Sequence, residues 1–402
     1  MSRFLPISYA TRNLGRSRTR LALAVGGALL VSLLAMGGAG FAIGMDRALR
    51  ASGLPGNVVL LGAGSEESVE RSEISPANAG VIAASIPGIA VLDGRPLASP
   101  EVNVALTVAA RDLPPAAKSG ERTGLVRGVT PEAFLVHPQV RLVAGRAPEA
   151  GSGEVILGAS AARGAGLDPA TLARTLHDDG TGGPEILVDT RPFRVVGSFE
   201  APGTVMDGEA WMPLTDVLVL TQRDTISSVI VTLAPGTSPA DVTDFAQRRI
   251  DLELSAIPEP AYYASQSAFY RPVRIMVLAS AALVAAGALL GGLNTMYAAF
   301  ASRIRELAML QVLGFARRAV VASLLQESVI SSLSGALVAV AVALFALDGI
   351  AIRFSMGTFG IRIDETVVAI GLAAGLVVGI AGCIMPAIRC LRLPLPAALK
   401  SD

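Results

Sequence analysis

The chain has 402 residues, of which 52% are hydrophobic and only 16% charged, with 33 basic and 33 acidic residues in balance. A chain this apolar is unusual for a soluble enzyme of its length. Its two cysteines, Cys383 and Cys390, lie near the C-terminus, so the large middle part must fold without disulfides.

Four charge-free runs account for the apolar excess. They cover residues 21–45, 275–302, 328–347 and 366–388, and each reaches the roughly 20 residues that a helix needs to cross a membrane. We therefore predict transmembrane helices over 21–45, 275–301, 319–347 and 366–388. The first run also resembles a signal peptide, but its 25 residues exceed the about 7 to 15 apolar residues of such peptides, which favours an uncleaved anchor.

The arginines predict which segments face the cytoplasm, because cytoplasmic flanks carry an excess of Lys and Arg. Residues 1–20 hold five arginines and no acid, and the segments 302–318 and 389–402 are also basic. The segment 46–274 holds 19 basic and 27 acidic residues, and the loop 348–365 is slightly acidic. We expect both termini and 302–318 inside the cell, and 46–274 and 348–365 outside. The basic start is expected to form an amphipathic helix on the inner membrane surface, with a flexible tail as the alternative.

The middle segment mixes strand-like and helix-like stretches, which predicts an α+β domain. Runs rich in Val and Ile indicate strands at 57–61, 102–108, 154–157, 193–197 and 227–233. Helices are expected at 76–85, 131–135, 159–166, 213–221 and 239–251. Because both ends of the segment adjoin apolar runs, we expect a membrane-proximal layer built from both ends, and a distal part over about 122–211.

Two motifs after the second apolar run are the most specific features of the sequence. They are GGLNTM at 291–296 and SRIRELAMLQVLG at 302–314. Together they resemble the signature of the FtsX/MacB-like (type VII) family of ABC transporter permeases. Segments of the middle domain and the ending resemble the same family, at 128–134, 142–146, 154–158, 192–197 and 392–399.

This resemblance implies an α-helical membrane protein with one span, an inserted periplasmic domain with porter-like and sabre-like subdomains, and three further spans. It implies a bacterial inner-membrane permease, itself not an enzyme, that works as a dimer with a second copy or a paralogue. ATP and magnesium would bind a separate ABC ATPase, whose hydrolysis would move the periplasmic domain and export or extract a lipid, lipoprotein or other hydrophobic substrate. The alternative is an FtsX-like transducer that activates a cell-wall hydrolase. A periplasmic adaptor or substrate-binding protein and membrane lipids are further expected partners; nucleic acid is not.

The segment 302–318 is the expected contact with the ATPase, since it is the only cytoplasmic loop long enough for one. A short helix there would present apolar residues to a groove and end at a glycine; a membrane-facing helix without a partner is the alternative. The candidate coupling residues are Arg303, Arg305, Glu306, Leu307, Leu310, Leu313 and Gly314. Glu327 borders the third apolar run, and is expected to pair with Arg317, Arg318 or the ATPase, or else to reach the interface unpaired.

Glycines four residues apart favour close helix packing in lipid. The candidates are Gly40, Gly44, Gly287, Gly291, Gly371, Gly375 and Gly379. No nucleotide-binding lysine motif occurs, because neither Lys118 nor Lys400 follows the required glycines. The two histidines, His137 and His177, are expected to be isolated surface residues, and no metal site is expected.

Overall fold

The computed structural model describes residues 18–111, 123–354 and 357–391. Most of the amphipathic helix expected over 1–20, and the resemblance at 392–399, lie outside the described residues. The chain forms two compact units. The helical unit comprises Met1–Ile43, Pro272–Ile350 and Ile361–Asp402, and the sheet unit comprises Gly44–Arg271 and Ala351–Gly360.

The helices and strands of the described ranges follow in chain order. The α-helices are α1 (Arg18–Ser52), α2 (Pro76–Ser85), α3 (Ala133–Val136), α4 (Ala159–Ala165), α5 (Pro169–Thr175), α6 (Leu214–Thr221), α7 (Pro239–Arg248), α8 (Glu259–Phe269), α9 (Arg271–Ala301), α10 (Ile304–Val312), α11 (Arg317–Ala346) and α12 (Glu365–Leu391). The strands are β1 (Asn57–Gly62), β2 (Val91–Leu92), β3 (Arg95–Pro96), β4 (Ala98–Ala110), β5 (Thr123–Val129), β6 (Arg141–Gly145), β7 (Glu154–Gly158), β8 (Glu185–Val188), β9 (Arg191–Glu200), β10 (Glu209–Pro213), β11 (Ser228–Thr232), β12 (Leu254–Pro258), β13 (Ala351–Phe354) and β14 (Gly357–Gly360).

Four helices of the described chain are long and apolar enough to cross a membrane, which confirms the four predicted apolar helices. Their apolar stretches are Leu21–Ser52, Arg271–Ala298, Arg317–Ala346 and Glu365–Arg389. The first extends beyond the charge-free run because α1 continues through Asp46 to Ser52. There Arg50 Nε donates to Asp46 Oδ2 one turn earlier at 2.8 Å, a pairing that a helix places on one face.

A ten-stranded mixed sheet forms the sheet unit and confirms the α+β expectation. Its strand order is β12-β1-β11-β4-β5-β10-β7-β9-β6, and β8 pairs with β4 and β9. The long strand β4 joins two halves, since its first residues pair with β11 and its later ones with β5 and β8. One half uses β1, β11 and β12 from the two ends of the segment, and the other uses strands from its middle.

The expected strands all occur as strands, and the expected helices as helices. Strand β1 is buried along its whole length because neighbouring strands and packed helices cover it, which explains its continuous run of apolar residues. Proline at the first helical turn starts α2 and α7 where the sequence indicates, and the Ser238 side chain accepts a hydrogen bond from Ala240 N at the start of α7.

The short loop expected at 348–365 contains a β-hairpin, formed by β13 and β14. This hairpin belongs to the sheet unit although it is inserted between α11 and α12. Phe359 is buried, and a Cβ built on Gly44 would lie 3.3 Å from its ring. The 3-10 helix Val205–Gly208 also packs against β14. The chain therefore passes between the two units within α1, at the start of α9 and at both ends of this hairpin.

Candidate functional site

Helix α10 occupies the segment predicted to contact an ATPase. It runs from Ile304 to Val312, and Gly314 follows two residues later with a φ of 92°, which is left-handed and favours glycine. Phe315 N donates to Leu310 O at 3.1 Å and Gly314 N to Gln311 O at 3.1 Å, bonds that close the helix end. The turn sends the chain back into α11.

One face of α10 packs inside the helical unit. Leu307 is 3% exposed and Ala308 2% exposed, and Leu310 is partly buried against the same cluster. The cluster combines residues of α9, α11 and α12, namely Phe300, Val320, Leu324, Cys383 and Ala387. This differs from the prediction that Leu307 and Leu310 point towards a partner. Residues at i, i+3 and i+4 share a helix face, and Ile304, Leu307 and Ala308 form the inner one.

The opposite face of α10 exposes a second apolar stripe. Met309, Val312 and Leu313 are 50%, 64% and 70% exposed. Arg305 and Glu306 are also exposed at the start of this helix. Of the three predicted leucines, only Leu313 is therefore available to a partner, together with Met309 and Val312, which the sequence analysis missed. The signal was present, because 309, 312 and 313 again have the spacing of one helix face.

Arg303 connects α10 to α11. Its Nη1 lies 3.5 Å from Glu327 Oε2, and its Nε donates to Glu306 Oε2 at 3.2 Å. Glu327 is 5% exposed. The sequence analysis expected Glu327 to pair with Arg317, Arg318 or the ATPase, or to stay unpaired; Arg317 does not reach it, because ten residues of α11 separate the two by about 15 Å. The return of the chain through α10 brings Arg303 beside Glu327 instead.

The glycines of α12 lie at close helix contacts. A Cβ on Gly375 would lie 2.6 Å from Ala336 Cβ, and one on Gly379 would lie 2.1 Å from Ser332 Oγ. A Cβ on Gly371 would lie 2.4 Å from the flexible Met36 side chain. α12 therefore approaches α1 and α11 closely through the triple that the sequence singled out.

The other predicted glycines differ among themselves. A Cβ on Gly40 would meet Ile361 Cγ2 at 2.9 Å, and Gly44 faces Phe359. A Cβ on Gly287 or Gly291 would meet no described atom within 4 Å. Gly335 was not predicted, yet a Cβ there would lie 2.3 Å from Val25 O. Spacing alone does not reveal which face of a helix meets a neighbour.

The sheet unit buries a cluster of charged side chains that the sequence analysis missed. Arg127 on β5 donates to both carboxylate oxygens of Glu209 on β10 at 2.6 Å, and also to Glu101 on β4. Trp211 Nε1 donates to Glu209 Oε2 at 2.8 Å. His137 Nε2 lies 2.8 Å from Glu101 Oε1. The side chains of this cluster are at most 6% exposed.

The expectation for His137 was wrong, whereas His177 is exposed. His137 follows α3, whose residues Ala133 and Val136 are buried while Leu135 is 42% exposed, so tertiary packing places His137 on the buried side. Burial lowers the pKa of His137, but attraction to Glu101 and a hydrogen bond with it outweigh burial and raise this pKa. Burial likewise favours the neutral form of Glu101, but His137 and Arg127 lower the pKa of its carboxyl to about 2. Glu101 is therefore an acceptor, and His137 Nε2 must carry a proton.

Comparisons with known proteins agree with the resemblance seen in the sequence. The family model of the MacB-like periplasmic core domain matches residues 19–248, and that of the FtsX-like permease C-terminal domain matches residues 278–395. No curated protein matches the chain.

Two solved structures are similar to parts of the chain. The periplasmic region of MacB from Actinobacillus actinomycetemcomitans is 13% identical with a TM-score of 0.38, over 55% of this chain and 96% of that one. The extracellular domain of the noncanonic ABC-type transporter YknZ from Gram-positive bacteria is 11% identical with a TM-score of 0.37, over 50% and 99%. Since the first family model covers more than half of the sequence, the chain belongs to the MacB/FtsX-like family of type VII ABC transporter permeases, membrane-embedded proteins with a periplasmic domain that work with an ATPase partner.

Proposed function

We propose that this permease relays ATP hydrolysis by a separate ATPase subunit to movement of its sheet unit outside the cytoplasm. In this proposal the four apolar helices cross the inner membrane as one plus three, and both termini are cytoplasmic. The distribution of arginines supports this orientation, because 302–318 is basic while 46–274 has an excess of acids.

The observation that carries the proposal is the two-sided packing of α10. Its outer stripe of Met309, Val312 and Leu313 is exposed, while its inner side packs against α11 and α12. An apolar helix face flanked by charge is the form of surface that fits a groove on a partner. A partner pressing on the outer face would move α11 and α12 with α10, because Leu307 and Arg303 hold α10 to them. The ATPase would bind the ATP and magnesium.

A cavity in the helical unit favours a hydrophobic cargo. A cavity of about 410 Å³ lies among α1, α9, α11 and α12. Its lining combines apolar side chains and glycines with the hydroxyls of Ser328, Ser331 and Ser332. These hydroxyls donate to backbone carbonyls of their own or a neighbouring helix, so the wall presents little unsatisfied polarity. A lipid or lipidated substrate fits such a lining better than a charged solute.

A second copy of the chain, or a paralogue, is the proposed partner within the membrane. Among the described residues, the most apolar stretch of α9 has no buried side chain. Lipid or a second permease subunit would cover this surface. A periplasmic adaptor or substrate-binding protein would act on the sheet unit.

Substitutions on the outer face of α10 test the proposal. We expect Val312→Asp and Leu313→Asp each to weaken association with the co-purifying ABC ATPase by about tenfold or more, because each places a charge in an apolar contact. Pull-down and stimulation of ATPase activity in nanodiscs are the measurements. Val219→Asp, at a site that is 68% exposed in the sheet unit, is the matched control and should bind normally.

Leu307→Asp is unsuitable for this purpose, because Leu307 is interior and its loss disturbs the fold of the helical unit. Normal ATPase binding and stimulation by both outer-face variants would show that α10 is not the contact.

A further inference from the structure

Inside the sheet unit, the last part of the apolar helix α1 meets α8, which leads directly into the apolar helix α9. The end of α1 and the whole of α8 are joined there by Ser267 Oγ, which donates to Asp46 Oδ1 at 2.7 Å. A Cβ on Gly53 would lie 2.8 Å from Pro260 Cα, so the two segments touch closely. We call this contact the joint, and define it as residues 46–54 of the α1 end and residues 259–267 of α8.

Glu259, the first residue of α8, connects both sides of the joint to the sheet. Its Oε2 accepts hydrogen bonds from Leu54 N at 2.9 Å and from Asn57 Nδ2 at 3.0 Å. Asn57 Nδ2 also donates to Val136 O at 3.0 Å, and Thr232 Oγ1 on β11 donates to Asn57 Oδ1 at 2.8 Å. One carboxylate thus fixes the α1 end, α8 and the start of β1 together.

The second oxygen of Glu259 faces His137. Glu259 Oε1 and His137 Nδ1 are 4.0 Å apart, both residues are fully buried, and neither atom has a hydrogen bond to another described atom. His137 therefore lies between two carboxylates, with Glu101 on Nε2 and Glu259 on Nδ1. The ionisable groups that surround the pair from the packed elements are Glu101, Arg127, Glu209, Glu70, Tyr262 and Tyr263.

The protonation of this pair determines whether the two facing atoms attract. With a proton on Nδ1 or on Oε1, one atom is a donor and the other an acceptor. Without it, two acceptors face each other, and three carboxylates (Glu101, Glu209, Glu259) are balanced by Arg127 alone. Desolvation on burial raises the pKa of Glu259, and attraction to Glu101 raises that of His137 against the opposing effect of burial. The folded protein thus holds this proton more tightly than the unfolded chain does.

We propose that Glu259 is the positioning residue of the joint, and that one proton, carried by His137 Nδ1 or by Glu259 Oε1 across the 4.0 Å between them, keeps the α1 end and α8 fixed to each other and to the sheet. Loss of that proton at alkaline pH loosens the joint. The sign follows from the raised pKa values: the stabilisation is present at acidic pH and is lost as pH rises beyond the ordinary histidine value of about 6.5. The functional meaning rests on the proposed relay, because a loose joint would transmit less movement to the sheet.

The test uses the full chain in nanodiscs without any ATPase. Trp211 is the only tryptophan, and its ring lies 6.0 Å from that of His137, so its emission reports on the cluster. Spin labels at Ala51 and Ala264, which are exposed on α1 and α8, report the joint in a background with Cys383 and Cys390 replaced by serine. We expect wild-type emission to follow a single-proton transition above pH 6.5, and the label distances to broaden over the same interval.

The variants separate positioning from mere packing. Glu259→Gln retains an acceptor for Leu54 and offers an amide donor to neutral His137, so the distances should stay narrow at every pH and the emission transition should vanish. His137→Gln should also abolish the transition. His177→Gln is the matched control and should behave as wild type, because His177 is exposed and far along the chain.

Three results would overturn the proposal: no wild-type transition, a transition that survives in Glu259→Gln, or an emission change without any change in label distance. The assay contains no ATPase, so its outcome is independent of the α10 variants. A pH-dependent joint in a chain whose outer α10 face proves irrelevant would leave the joint standing and refute the relay. If the α10 variants lose ATPase binding but the joint shows no pH dependence, the proposal for the joint alone would be refuted.

Discussion

At the scale of single residues, this permease pairs buried charged side chains from different segments. Glu327 is nearly buried in α11 and faces Arg303, which precedes α10. His137, Glu101 and Arg127 form the corresponding group inside the sheet unit. A buried charge that loses its partner costs several kcal/mol, so these groups fix the segments that carry them. Neither group is readable from local sequence, because the partners are 24 or more residues apart.

Removing Glu327 should separate α10 from α11. We expect Glu327→Ala to destabilise the protein by about 3 kcal/mol, because Arg303, in a place poorly exposed to water, keeps only the half-exposed Glu306 as a partner. Glu306→Ala, which removes the more exposed partner of Arg303, should cost less than about 1 kcal/mol. Thermal unfolding in nanodiscs measures both. Equal effects of the two variants would show that Glu327 does not hold α10, and recovery in Arg303→Glu with Glu327→Arg would support the pair.

At the scale of helices and strands, the sequence predicts most elements correctly. The four apolar helices, the strands rich in Val and Ile, and helices started by proline follow from local patterns. Which face of each helix is buried does not follow from these local patterns. Leu307 and Leu313 have equivalent chemistry, yet only their positions relative to α11 and α12 make one interior and the other exposed. The β13–β14 hairpin was expected as a loop. Its strands are short, and its packing within the sheet unit depends on residues distant in sequence.

The glycines of α12 offer a matched comparison on one helix. We expect Gly375→Val to destabilise the helical unit by about 1–3 kcal/mol, because the new side chain overlaps Ala336 and Ser32. Gly382→Val should have little effect, since a Cβ there would meet no described atom within 4 Å. The fraction that remains monodisperse in detergent after heating is the measurement. Similar losses for both variants would contradict close packing at Gly375.

At the scale of the whole molecule, the chain connects its two units through α1, the α8–α9 junction and the β13–β14 hairpin. The proposed relay uses these connections: an ATPase moves α10, α10 moves α11 and α12, and the sheet unit responds. The family assignment establishes an ABC permease with an ATPase partner. The orientation of the chain in the membrane, its hydrophobic cargo and the movement of the sheet unit belong to the proposal.

The most direct test measures that movement. A spin label at Val219, which is exposed on α6, reports the distance between the sheet units of two permease copies in a nanodisc complex with the ATPase. The relay predicts that ATP binding and hydrolysis shift this distance, and that Leu313→Asp abolishes the shift while the sheet unit stays folded. An identical distance distribution in every nucleotide state, in a complex that hydrolyses ATP at its normal rate, would contradict the account.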